Sequence, residues 1–65
     1  MAQEKTFVAT LAYSAKNENE LSLGVGDVVH VLDQSPEHSG WWYGHAVADA
    51  ELAGWFPAVN LRRSF

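Results

Sequence analysis

The apolar residues of this chain fall in runs too short and too sharply interrupted for a helix. No stretch carries an apolar stripe at helical spacing over a useful length. The runs are β-branched or aromatic, and polar or glycine-bearing breaks separate them. Residues 6–13, Thr-Phe-Val-Ala-Thr-Leu-Ala-Tyr, read as a first strand. Residues 14–20 are polar and acidic and read as a loop, and 21–23 alternate apolar and polar. Residues 24–27, Gly-Val-Gly-Asp, read as a turn in which Gly26 takes a positive φ and Asp27 serves the turn itself. Strands are predicted over 28–32, 41–47 and 52–56, with a loop over 33–40 and a turn over 48–51. Pro57 is expected to interrupt the chain, residues 58–60 to make one short helical turn, and Leu61-Arg62-Arg63 to form a last strand. Five short strands and no helix make an all-β domain, a small barrel or sandwich.

Such a domain has little help available to it. At 65 residues it is one domain that buries only about 60 % of its unfolded surface. It has no cysteine, so neither a disulfide nor a thiolate zinc site can staple it. Packing alone must hold the core. The lack of cysteine fits a reducing compartment, and the opening Met-Ala-Gln-Glu-Lys-Thr has no apolar signal core, so a cytoplasmic location is expected. The apolar runs are too short to span a membrane. The formal net charge is −4, with Lys5, Lys16, Arg62 and Arg63 as the only lysines and arginines. They form no basic footprint, so nucleic acid is not an expected partner. An acidic surface favours basic partners instead.

Parity assigns the faces of the strands. Val29 and Val31 point inward, because His30 on the alternate face is harder to bury. In Gly40-Trp41-Trp42-Tyr43-Gly44, successive side chains leave opposite sides of the strand. Gly44 suits a place where another element packs close. That turns Gly44 and Trp42 toward the interior and leaves Trp41, Tyr43 and His45 outward. The predicted core is Phe7, Ala9, Leu21, Leu23, Val29, Val31, Gly44, Phe56 and Leu61.

Taken together, Glu20 to Leu32, the Trp41-Trp42-Tyr43-Gly44 segment and the Gly54-Trp55-Phe56-Pro57-Ala58-Val59-Asn60-Leu61 close resemble the Src homology 3 (SH3) domain. The likeness covers about residues 6 to 63, leaving 1–5 and 64–65 as flanking tails. The Gly-Asp, Trp-Trp and Gly-x-x-Pro elements stand in the family's order at compatible spacings. The resemblance implies a five-stranded SH3-type barrel with a short 3-10 turn before the last strand. It implies a monomeric, non-catalytic adaptor module of signalling or cytoskeletal proteins, without cofactor, that binds proline-rich basic peptides. Such ligands are polyproline II helices, preformed at about three residues per turn, so binding them costs little ordering entropy.

Carried over to matching positions, Trp41 becomes the groove tryptophan, Tyr13 its neighbouring tyrosine, Pro57 the groove proline and Trp55 a flanking aromatic. Glu20 stands where the family pairs a ligand arginine or lysine, with Glu18 assisting and Asp33 and Glu37 adding negative field. Two positions depart from the pattern. Leu11 replaces the first tyrosine of the opening motif, and Asn60 replaces the tyrosine of the closing one. Those tyrosines wall one of the two proline pockets, so the groove is expected to be strong beside Trp41 and weak toward Leu11 and Asn60. The peptide partner lies in another protein or in the parent chain.

Two rivals come from other classes. One is an aromatic cage for methylated lysine, held by cation–π attraction. The other is a structural domain that packs on a neighbour and has no free peptide ligand. Enzyme readings find no support. His30, His38 and His45 lie eight and seven positions apart, without metal-ligand spacing or a companion acid. Gly24-Val25-Gly26 precedes a strand rather than a helix, so it is no phosphate loop.

Overall fold

A computed structural model describes residues 5–34, 37 and 39–63. The strands are β1 (Thr6–Ala9), β2 (Val28–Asp33), β3 (Trp41–Ala46), β4 (Ala53–Pro57) and β5 (Leu61–Arg63), with a 3-10 turn, Ala58–Asn60, ahead of the last. They form one sheet in the order β4-β3-β2-β1-β5, and every neighbouring pair is antiparallel. No helix among the described residues is long and apolar enough to cross a membrane.

The polar loop returns the sheet's exposed margin to a bonded state. Trp55 N–H donates to the Asn19 carbonyl at 2.9 Å, and Leu21 N–H donates to the Trp55 carbonyl at 2.9 Å. An open β4 edge would have presented unpaired amides and carbonyls for aggregation. A second tie joins Tyr13 and Leu23, whose backbones exchange hydrogen bonds of 2.8 and 2.7 Å.

Period-two burial is clear in β1, β2 and β4, where inward residues alternate with outward ones. Phe7, Ala9, Leu21, Leu23, Val29, Val31 and Phe56 are the buried apolar residues, with Val29 and Phe56 wholly enclosed. Gly44 is buried as expected. A Cβ there would collide with the His30 carbonyl oxygen and sit 3.0 Å from Val31 Cα, so glycine is what lets β3 approach β2. Leu61 is only half-buried, because β5 lies at the sheet margin and packs against the core from outside. Trp42 also leans on the core, its ring 4.9 Å from that of Phe7.

Five strand limits differ from the sequence-based expectation; β2 runs one residue further, to Asp33, and β4 starts one residue later, at Ala53. The first strand stops at Ala9 rather than Tyr13. The next amides, Thr10 and Leu11, turn to the Asn60 carbonyl at 2.8 and 3.3 Å, which takes the chain off the sheet. Val47 falls outside β3, although its N–H still reaches the Val28 carbonyl at 2.9 Å. Pro57 does not interrupt; it ends β4 opposite Trp41. β4 is the outermost strand of the sheet, a position that tolerates the missing proline N–H. The turn over residues 24–27 matches expectation: Gly26 has φ +95°, and Asp27 Oδ2 accepts the Gly24 N–H at 2.7 Å.

Candidate functional site

The outward residues of β3 and β4 gather with the loop over 13–20 on one side of the barrel. Ser39 and Gly40, both at positive φ, turn the chain into β3, and the Gly40 carbonyl accepts the Ala58 N–H at 2.8 Å. The start of β3 and the start of the 3-10 turn are thereby held together. This places Trp41 in register with Pro57. Tyr13 meets Trp41 edge to face, with centroids 5.7 Å apart and planes at 78°. Edge-to-face packing of this kind fixes ring orientation, which an exposed single aromatic does not have. Trp41, Tyr13 and Pro57 are each half-buried. They form a ridged apolar floor open to solvent.

Trp55 is half-buried beside this floor. Its ring lies 5.3 Å from that of Tyr43, its cross-strand partner. Tyr43 was not among the site residues inferred from the sequence. The signal for it was present in the parity that turns it to the same side as Trp41.

Glu20 forms an isolated bridge to Trp55 and is fixed by a local network. Its Oε1 accepts the Tyr13 hydroxyl at 2.6 Å and the Lys16 N–H at 2.7 Å. Its Oε2 accepts from the Asn17 side-chain amide at 3.3 Å. The Tyr13 hydrogen bond, followed by the Lys16 N–H, holds the Glu20 carboxyl below its ordinary range. In return the bond to Glu20 is the largest cause pushing the Tyr13 hydroxyl up to about 12, with desolvation and the nearby charge adding to it. An ionised carboxylate offers about four acceptor positions, so Glu20 retains capacity for a further donor on Oε2. Glu18 is exposed in the turn just before it, Glu37 is exposed, and Asp33 is half-buried at the end of β2.

At the opposite end Asn60 is already engaged. Its amide donates to the carbonyls of Ala12 at 3.2 Å and Leu11 at 3.4 Å, while its own carbonyl accepts from Thr10 and Leu11. Leu11 itself is exposed, as is Val59 on the 3-10 turn. The structure thus brings Tyr13, Glu20, Trp41, Trp55 and Pro57 together, and it joins Leu11 to Asn60 through the backbone rather than through a shared pocket wall. The linkage of Glu20 to Tyr13 and of Asn60 to residues 11 and 12 left no mark in the sequence.

Comparison with known proteins gives one consistent result. The SH3 domain pattern matches residues 8–58. SH3 and PX domain-containing protein 2A of Mus musculus is 41 % identical over 59 residues, 91 % of this chain and 5 % of its own length. Rho guanine nucleotide exchange factor 7 of Rattus norvegicus is 39 % identical over 54 residues, 83 % of this chain and 8 % of its own. The chain therefore spans only a small part of the curated relatives it matches. Among solved structures, the C-terminal SH3 domain of myosin IB from Entamoeba histolytica, bound to an EhFP10(GEF) peptide, superposes with a TM-score of 0.80. Its identity is 29 %, and all of both chains is covered.

Proposed function

This chain belongs to the SH3 domain family, a family of non-catalytic protein–protein interaction modules, and on that premise we propose that it binds proline-rich, basic peptide segments across Tyr13, Trp41, Trp55 and Pro57. The observation that carries the reading is the edge-to-face Tyr13–Trp41 pair, with Pro57 in register across the sheet from Trp41. It offers an oriented apolar ridge against which the prolines of a polyproline II helix can pack, and the Trp41 indole N–H can donate to a peptide carbonyl. The myosin IB SH3 domain with its bound EhFP10(GEF) peptide supports peptide binding as a use of this fold.

The groove is lopsided. Glu20, with Glu18 beside it, receives the ligand's cation. Toward Leu11 the Asn60 amide is spent on the Leu11 and Ala12 carbonyls. That end offers the exposed leucine side chain and no aromatic sandwich. Affinity near micromolar, about −8 kcal/mol, or weaker fits one good pocket rather than two. A partner in the same parent chain would be served by such an affinity, because tethering raises the effective concentration.

Isothermal titration with a panel of proline-rich peptides tests the reading. Trp41→Ala is expected to abolish binding and leave the fold intact, while Leu11→Ala lowers affinity only slightly. Equal losses from the two substitutions would refute the lopsided groove. A Trp41 indole resonance unmoved by every proline-bearing peptide would refute peptide binding at this surface.

A further inference from the structure

His30 and His45 lie 15 positions apart in the chain, yet β2 and β3 pair them directly across the sheet. We propose that they form a two-histidine chelate for a divalent transition-metal ion, copper(II) most tightly, on the outer face of the barrel. Both side chains are half-buried and alternate with inward residues, so they share the face turned away from the core. Their ring centroids are 5.3 Å apart with planes at 44°.

That spacing matches coordination geometry. With metal–nitrogen bonds of about 2.0–2.1 Å, each imidazole centroid stands about 3.2 Å from the ion, so the centroids lie about 4.5 Å apart at the roughly 90° angle of tetragonal copper(II) and about 5.2 Å apart at the tetrahedral angle of zinc, a span that a small rotation of either ring covers. A second, independent observation prepares one of the ligands. His45 Nδ1 lies 3.0 Å from the Ala46 carbonyl oxygen. A carbonyl can only accept, so Nδ1 donates in this contact, and in the neutral ring Nε2 is then the nitrogen that carries the lone pair. A ligating histidine commonly has its other nitrogen held in this way, which fixes tautomer and ring orientation.

The surroundings leave room for the rest of a coordination shell. Thr6 is the neighbour of His30 on β1, and Ala53 is the neighbour of His45 on β4, both small side chains. No group of three or more potential ligands occurs among the described residues, so water completes the shell and the ion exchanges freely. Imidazole pairs without thiolate or a full carboxylate set suit copper, nickel and zinc, with copper(II) bound most strongly. The bound ion clips β2 to β3 two residues along from the Tyr43–Trp55 pair. The site does not depend on the peptide-binding reading.

Zinc(II) titration followed by imidazole nitrogen resonances tests it in the unaltered protein. His30 and His45 are expected to shift together while His38 stays, and copper(II) is expected to compete zinc away and raise the Tm. His30→Gln and His45→Gln should each weaken copper binding by roughly tenfold or more, since each converts a chelate into a single contact, whereas His38→Gln should leave it unchanged. Melts without metal establish that each variant is folded; if either is not, the resonances of the unaltered protein decide. Shifts confined to His38, no shift in either histidine, or full binding retained after His30→Gln or His45→Gln would overturn the chelate.

Discussion

Replacing Gly44 by alanine adds one methyl group where β3 passes close to the backbone of β2. The new Cβ would collide with the His30 carbonyl oxygen and lie 3.0 Å from Val31 Cα and 3.1 Å from the His30 carbonyl carbon. All three are backbone atoms of β2, so no side-chain rotation relieves the contact. β2 must move away, and it takes the enclosed Val29 and Val31 with it. Overpacking of a formed interior costs about 1–3 kcal/mol, and the backbone nature of the obstacle places this case near the top of that range. Removing a strand glycine returns roughly 0.5–1 kcal/mol. The net loss is then about 2 kcal/mol. A domain of 65 residues has a total stability of about 3–10 kcal/mol. At roughly 4–8 °C per kcal/mol for a domain of this size, the melting point should fall by about 8–16 °C. Thermal melts by circular dichroism measure it. Gly24→Ala is the matched control, because its Cβ would meet only the Asp27 carboxylate, at 3.6 Å, an ordinary contact. That variant should melt within a few degrees of the parent protein. If the two alanine variants melted alike, the close approach of β3 to β2 would not be what selects glycine at position 44.

Two further outcomes follow from the same geometry. The folded protein holds the Tyr13 proton more tightly than the unfolded chain does, so the stability this group contributes is complete below pH 10 and is lost as pH rises toward 12. Glu20, held below its ordinary range, contributes stability present above the unfolded carboxylate pKa and lost as pH falls through its folded value. Ultraviolet titration should find one tyrosine ionising near 12, and Glu20→Gln should bring it back toward 10; an unchanged titration in that variant would sever the link. Val31→Asp places an unpaired carboxylate among Phe7, Val29 and Phe56 and should abolish the cooperative thermal transition, since no buried partner offsets the lost hydration. A cooperative melt in Val31→Asp would refute that placement of the core.

Local alternation carried much of this reading. Val29 and Val31 inward, Trp42 against the core and Trp41 outward all follow from a two-residue period that any single strand imposes on its own side chains. Gly26 and Asp27 also speak locally, because a turn's dihedral and hydrogen-bond needs are met within four residues. The end of β1 was not legible, because it is decided at Asn60, whose carbonyl draws off the amides of residues 10 and 11. The inclusion of Pro57 in β4 likewise depends on Trp41 being across from it.

Residue pattern alone sets which faces are apolar, places the turn over 24–27 and requires five strands to share one unstapled core. Which groups meet comes from the assembled sheet: Tyr13 with Glu20, Asn60 with the carbonyls of residues 11 and 12, and His30 with His45. The reason is physical. Side-chain direction is set by a residue's own backbone, but register between strands is set by burying all the apolar faces at once, and no single segment contains that information.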